Sequence, residues 1–370
     1  MIAKQRVLHI SPALFGPDGG IFGGAERYSF ELARHMAEFT PTRLVSFGDK
    51  ESCQSVDSLD IRIHGPAWRV RGQRFNQIHP ALIRDITWAN VVHCHQQHLL
   101  VSSLTAFFCR LSRRRVFATE LGGGGWDISA YVSTDAWFHR HLHISRYSQT
   151  VAGHDGLGTC GVIYGGVDTE LFAPDPAIAK EPLVVFVGRL LSHKGVNDLI
   201  AALPEGLDLE IIGRPYDARF QADLRRLAEG KRVRFRTDCS DADIVAAYQR
   251  ALCVVLPSVY RDCYGNESRV PELLGQTLIE GMACGTAAIC TDVASMPEVV
   301  ENGVTGFVVP PNDPGAMRAK LLWLRDHPDE ARAMGEAGRR RVLESFTWPA
   351  VVANCLKMYA ADVDPALQKQ

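Results

Sequence analysis

Two acidic residues with seven residues between them, Glu272 and Glu280, lie in the stretch Pro271-Glu-Leu-Leu-Gly-Gln-Thr-Leu-Ile-Glu-Gly-Met-Ala-Cys-Gly285. Gly275 stands between them, at the start of an apolar run with helical spacing. A glycine opening a helix lets backbone approach a ligand, and the amides of the first turn suit a phosphate. A carboxylate on either side can accept hydrogen bonds from adjacent hydroxyls. The same residues also fit an ordinary helix with an acidic entrance favoured by the macrodipole. Val187-Gly-Arg-Leu-Leu-Ser-His-Lys-Gly195 places Arg189 and Lys194 five residues apart after a strand. A planar guanidinium fork and an ammonium point charge suit the two phosphates of a diphosphate. A solvated basic loop is the plain alternative. The position after a strand's C-terminal end, where open α/β sheets bind ligands, favours a site.

Glycines mark two further places. The strand Arg6-Val-Leu-His-Ile10 leads into a loop, 11–24, that contains Gly16, Gly19, Gly20, Gly23 and Gly24. Helical spacing follows over 25–39, with Tyr28, Leu32 and Met36 on one side. Strand, glycine-rich loop and helix together place phosphates at a helix N-terminus, although the spacing is not Gly-x-Gly-x-x-Gly. Gly122-Gly-Gly-Gly125 precedes Trp126-Asp127 and reads as backbone lining a site or as a mobile turn. In Asn90-Val-Val-His-Cys-His95, His93 and His95 point to one face of a strand, with His98 nearby. No acid or cysteine at ligand spacing supports a metal there, so a ligand-facing role at the strand's end is the better reading.

Positioning these groups requires strands and helices in alternation. Strands are expected at 6–10, 43–47, 61–63, 90–95, 115–119, 162–168, 183–187, 209–212, 233–236, 253–256 and 288–290. Helices are expected between them, over 25–39, 99–111, 196–203, 219–229, 241–251 and 276–283, with two more at 328–345 and 349–361. Alternation implies parallel sheets covered on both faces. The pattern is α/β: two doubly wound Rossmann-like domains facing a central cleft. Three prolines in Ala173-Pro-Asp-Pro-Ala-Ile-Ala-Lys-Glu-Pro182 place the boundary there. The expected division is 1–176, 177–348, and a C-terminal helical segment 349–370 that packs back on the first domain.

Bulk composition narrows the function class. With 40 Lys+Arg against 42 Asp+Glu the net charge is −2, without the basic excess of a general nucleic-acid binder. No run approaches a membrane span, and Met1-Ile-Ala-Lys-Gln-Arg leads into a strand, so a cytoplasmic protein is expected. The ten cysteines are sparse for this length and mostly sit in apolar runs, as buried reduced thiols do. One bridge, such as Cys239 with Cys263, stays open.

The motifs taken together, Gly-Arg189…Lys194-Gly195 and Glu272…Gly275…Glu280-Gly-Met-Ala-Cys-Gly285, resemble the second domain of family 4 glycosyltransferases, retaining enzymes of the GT-B fold. Pro297-Glu-Val-Val-Glu-Asn-Gly-Val-Thr-Gly306, Val162-Ile-Tyr-Gly-Gly-Val-Asp168, Gly23-Gly24-Ala-Glu-Arg and Val92-His93-Cys-His95 resemble other segments of that family, in the same order. The resemblance implies a nucleoside-diphosphate sugar, UDP- or GDP-linked, as donor and substrate, with no further cofactor. Arg189 and Lys194 would hold the diphosphate, Glu272 the transferred sugar, and Glu280 the ribose. The backbone of Leu274, Gly275, Gln276 and Thr277 would meet sugar or phosphate. Gly23 and Gly24 would approach the diphosphate from the first domain, and His95 would contact the sugar near its anomeric carbon. Arg214, Asp238 and Cys239 would lie near the base.

No metal is then needed to stabilise the leaving group. Asp241-Ala-Asp243 follows Ser240 at a helix start and reads as capping rather than metal binding. Same-face attack within an ion pair fits retention. Departures from the family pattern are Glu272-Leu-Leu-Gly, Gln276, and a long preceding loop containing Glu267, which offers a second carboxylate. A nucleotide-sugar binder without catalysis is the alternative. A dinucleotide-dependent oxidoreductase lacks the fingerprint glycines and ribose acid. The acceptor, whether glycan, lipid-linked or small-molecule, is not encoded legibly. Trp68-Arg-Val-Arg-Gly-Gln-Arg74 suggests peripheral membrane contact, with a solvated basic loop as the alternative.

Overall fold

Apolar runs pair into two separate parallel sheets in a computed structural model, which describes residues 5–15, 23–122 and 124–361. Gly16, Gly19, Gly20 and Gly123 lie outside the described residues. Two compact units result, one made of residues 1–166 with 348–370, the other of 167–347.

The first unit's sheet runs, edge to edge, Cys160–Val162, Arg140–His143, Arg115–Thr119, Val91–His95, Val7–Ile10, Thr42–Phe47, Leu59–His64 and Ser52–Val56. All of its pairings are parallel except the last, where Ser52–Val56 turns back on Leu59–His64 through Asp57, whose φ is 51°. That strand is mostly exposed, so its polar sequence Ser-Cys-Gln-Ser-Val carries no buried-strand signal, and the expected strand list lacks it. The central strands Val7–Ile10 and Val91–His95 are buried throughout, as a sheet covered on both faces demands. Helix Gly24–Phe39 buries Tyr28, Leu32 and Met36, the expected stripe.

The last helix, Trp348–Ala360, belongs to this unit. Trp348 meets Tyr28 and stacks on His35 at 5.6 and 5.9 Å between ring centroids, and Tyr359 lies 4.7 Å from Phe117. The expected strand over 162–168 ends at Val162, because Tyr164 takes φ 57° and leaves the sheet. Gly166 lies so close under Trp348 that a Cβ there would fall 2.5 Å from its ring. From Val167 the chain belongs to the second unit, whose two ends pair through the Val167 amide donating to the Phe346 carbonyl at 2.9 Å. The division therefore falls between 166 and 167, before the proline-rich segment 173–182 and ten residues before the expected boundary at 176. That segment follows Phe172, which is buried and holds the Arg339 guanidinium through its carbonyl.

The second unit's sheet is wholly parallel, in the order Val233–Arg236, Asp208–Ile212, Glu181–Val187, Ala251–Leu256, Ala287–Thr291 and Gly306–Val309. Helix Pro314–Asp326 was not expected. Its signal was present in Asp313, whose side chain caps the Ala316 amide, followed by Pro314 at the first helical position. Helix Asp241–Arg250 opens on a capping box between Ser240 and Asp243, with Asp243 also receiving Arg236 at 2.9 Å. Capping thus accounts for Asp243, the second acid of the Asp-x-Asp. All ten cysteines are free, so Cys239 and Cys263 form no bridge.

Candidate functional site

In the second unit the strand order reverses beside Glu181–Val187: Asp208–Ile212 lies on one side and Ala251–Leu256 on the other. Loops that leave two such strands diverge and open a crevice at their C-terminal ends. Lys194 comes from the loop after the first of these strands and Glu272 from the loop after the second. Their side chains meet, with Lys194 Nζ 2.5 Å from Glu272 Oε2 and 3.5 Å from the Pro271 carbonyl. Lys194 is only 9 % exposed.

Local backbone forces this meeting. The short helix Ser192–Lys194 ends on Gly195 at φ 66°, where a Cβ would fall 2.0 Å from the Pro257 carbonyl oxygen. Only glycine allows the two loops to come that close. The Val259 amide donates to the His193 carbonyl at 2.8 Å, and Ser192 Oγ donates to Asp262 at 2.5 Å. Asp262 also accepts from the Tyr264 and Asn266 amides, which folds the long 257–275 loop on itself. Burial alone would raise the Asp262 pKa, but the bonds from Ser192 and Asn266 outweigh it and hold the carboxyl below its usual range. Glu267 sits instead on an exposed bridge with Arg261, so Glu272 is the carboxylate that meets the lysine.

A buried ion pair is costly to form and weak evidence for stability, since two apolar residues would pack as well. Its place at the crevice suggests a charge held ready for a ligand. Burial, then the cations Lys194 and Arg189, push the His193 imidazole below its usual range. Arg189 is exposed at the crevice rim, 5.9 Å from the Tyr216 ring. Helix Gln276–Ala283 begins at Gly275, φ 80°, with no side chain capping it. Leu274 is buried beneath that start, and Gln276 and Thr277 form its first turn. Glu280, one turn on, receives the buried Tyr248 hydroxyl at 3.4 Å.

Other expected residues are placed differently. Arg214 follows the neighbouring strand and is exposed, its carbonyl accepting from the Leu190 amide at 3.0 Å. Asp238 and Cys239 follow Val233–Arg236 at the sheet's outer edge, two strands from the one that leads to Lys194. The structure brings Lys194 and Glu272 into contact and leaves Asp238 and Cys239 apart from them.

The first unit has its own reversal, between Val7–Ile10 and Val91–His95. His95 closes the second of these strands but is only 1 % exposed. Its Nε2 lies 3.0 Å from His9 Nδ1, and burial, then His93 and His9, push it well below its usual pKa. His93 is held by Tyr359 and Thr119 at 2.6 and 2.7 Å. Among the described residues, His95 Nδ1 has no hydrogen-bond partner. His9 was legible as a strand residue, but its pairing opposite His93 depends on strand order, which no local pattern shows. Gly23 and Gly24 open the helix Gly24–Phe39, and a Cβ on Gly24 would meet nothing within 4 Å, so packing does not demand glycine there. A cavity of about 450 Å³ in this unit is lined by His98, Gly125, Asp127, Ser129, Tyr131 and Asp135, among others.

Residues 168–341 match the family model described as Glycosyl transferases group 1. The chain is 26 % identical to alpha-maltose-1-phosphate synthase of Mycolicibacterium smegmatis over 92 % of this chain and 95 % of that protein. Among solved structures it resembles a glycosyltransferase of Rickettsia africae, with a TM-score of 0.72, 19 % identity and full coverage of both chains. It also resembles HepE of Anabaena, solved with UDP and glucose, with a TM-score of 0.70, 17 % identity, and coverage of 95 % and 98 %. The two-unit α/β architecture is the GT-B fold.

Proposed function

From its match to the glycosyl transferases of group 1 over residues 168–341, we propose that the chain moves a sugar from a nucleoside diphosphate to an acceptor hydroxyl, with retention at the anomeric carbon. The observation that carries this reading is the Lys194–Glu272 pair at the second unit's crevice. In the ligand-free chain each charge neutralises the other. On donor binding, Lys194 turns to the diphosphate and Glu272 accepts from sugar hydroxyls, so both exchange one charged partner for another. Departure of the nucleoside diphosphate builds negative charge on its β-phosphate. Preorganised cations are worth several kcal/mol there, on the order of 3 for a single donor. Arg189 and Lys194 supply that charge without a metal ion, and the start of helix Gln276–Ala283 receives a phosphate oxygen. Glu280 binds the ribose. The acceptor attacks on the face the leaving group departs from, within an ion pair.

Screening UDP-, GDP- and ADP-sugars by thermal shift tests the donor. One base should stabilise the chain strongly, by about 2.7 kcal/mol at a hundredfold excess over Kd. UDP is the expected base, given the ligand named for the Anabaena structure. Release of nucleoside diphosphate in the presence of acceptor separates a transferase from a binder. Stabilisation by no nucleotide sugar would refute the reading.

No helix among the described residues is long and apolar enough to cross a membrane. Peripheral contact has separate support in the first unit. Helix Leu100–Leu111 exposes Leu104, Phe107, Phe108 and Leu111, the last at 68 %, and Trp68 is 71 % exposed. Arg110, Arg113 and Arg69 are exposed beside these residues in the chain, although Arg69 pairs with Asp49 at 2.9 Å. Exposed apolar side chains with cations next to them in the chain suit the surface of an anionic bilayer, where a lipid-linked acceptor would lie. Sedimentation with anionic vesicles should retain the chain, and Phe107→Ser with Leu111→Ser should release it. Equal recovery with neutral and anionic vesicles would count against the contact.

A further inference from the structure

The first unit gathers a second set of histidines at the far edge of its sheet. His141 and His143 alternate on strand Arg140–His143 and therefore share a face. The edge strand Cys160–Val162 pairs with it in register, Cys160 opposite His141 and Val162 opposite His143. His154, from the loop that joins helix Arg146–Val151 to that edge strand, packs over both histidines, with ring centroids 4.4 Å from His141 and 5.2 Å from His143. One nitrogen each from His143 and His154 and the Cys160 sulfur all lie within 4.8 Å of one another. We propose that His143, His154 and Cys160 bind a zinc-class divalent metal ion, with a fourth position left to water.

The distances suit that coordination. His143 Nε2 and His154 Nδ1 face each other at 3.2 Å. Two nitrogens on one tetrahedral zinc, each about 2.0–2.1 Å from the metal, stand roughly 3.3 Å apart. Two imidazole nitrogens at this separation share one proton in the metal-free chain, and that proton occupies the place of the ion. Loading displaces the protons of the bound nitrogens and the Cys160 thiol proton, leaving two neutral imidazoles and a thiolate. The other His154 nitrogen, Nε2, points toward Asp135 Oδ2 at 3.9 Å, the carboxylate–histidine–metal relay that orients a ligand ring.

His154 also belongs to a second triad with Asp135 and His141. Both nitrogens of His141 are already engaged there, Nδ1 with Gln97 at 3.0 Å and Nε2 with the Asp135 carbonyl at 3.3 Å. His143 by contrast keeps a buried Nδ1 with no partner among the described residues and has Nε2 turned to His154. The thiolate also favours a borderline-soft ion over magnesium or calcium. The ion would fasten a three-residue edge strand and the loop before it to the sheet. The site lies in the first unit, whereas the Lys194–Glu272 pair belongs to the second.

The test uses the tag-free full chain, stripped with a chelator and titrated with Co²⁺ and then Zn²⁺. One equivalent should bind, with sulfur-to-cobalt charge-transfer absorption and a raised Tm. Cys160→Ser should abolish that absorption. Asp135→Asn should weaken zinc binding about 10–100-fold. His141→Ala should leave the spectrum unchanged, which separates the two triads. Circular dichroism of the apo variants checks that each folds. Absence of stoichiometric binding, or binding by Cys160→Ser with an unaltered spectrum, would overturn the assignment.

Discussion

Lys194→Ala should lower turnover by about 10²–10³-fold, the loss seen when one preorganised donor to a developing anion is removed. Glu272→Gln should fall in the same range if the carboxylate grips the sugar in the transition state. The double variant should lose much less than the product of the single losses, because the residues contact each other and share one ligand. The two changes also differ in what they leave behind. Lys194→Ala strands a largely buried carboxylate and removes the donor to the Pro271 carbonyl, so it should cost stability as well as rate. Lys194→Met with Glu272→Leu restores apolar packing and should melt close to wild type while remaining inactive. Steady-state kinetics with the donor found by screening, alongside thermal melts, read all of these. Near wild-type kcat/KM in Lys194→Ala and Glu272→Gln would remove the pair from the mechanism.

Mild acid should unfold the first unit well before the second. His9, His93, His95, His141 and His143 are all buried there. Burial pushes His9 to about 3, and in the chelator-stripped chain burial then His154 push His141 to about 4 and His143 to about 3. Burial with neighbouring histidines pushes His93 and His95 well below the usual range. Below about pH 6.5 the unfolded chain takes up protons at these positions and the folded chain does not. Stability therefore falls as pH falls from 6.5 toward the folded values.

Each such histidine removes about 1.4 kcal/mol between pH 7.5 and pH 5.5. Two of the five acting independently remove roughly 3 kcal/mol, or about 6–12 °C in Tm for a unit of this size. His154 does not reverse this trend. The Asp135 bond, then the Cys160 bond, raise it to about 9, so its stabilisation is complete below 6.5 and lost only as pH rises through 9. Asp135, lowered to about 2 chiefly by the His154 bond, keeps its contribution until pH falls through that value. Calorimetry at the two pH values should show one transition moving down while the other stays. Coincident transitions with unchanged Tm would contradict the burial of neutral histidines.

Much of the second unit's site was legible because its parts are local. Arg189 and Lys194 follow one strand, and Glu272, Gly275 and Glu280 surround one helix start, so spacing alone predicts their neighbourhood. Long apolar strands announced themselves in the same way, while the exposed strand Ser52–Val56 has a polar sequence and Gly306–Val309 is only four residues long and opens on a glycine. The proline-rich segment looked like a linker, but Phe172 beside it is buried and its carbonyl holds Arg339, contacts made 167 residues apart in sequence.

The sequence by itself determined the α/β class, the stripes that helices bury, the glycine at which helix Gln276–Ala283 begins, and the charge types available for a diphosphate. These follow from periodicity and residue chemistry, which act over a few neighbouring positions. Only the tertiary structure decided that Lys194 lies against Glu272 rather than Glu267, and that His9 backs His95. It also decided that Cys160 joins His143 and His154 at one edge. Those pairings depend on strand order and register, set by burial across the whole unit, and a side chain carries no local record of which strand will lie beside its own.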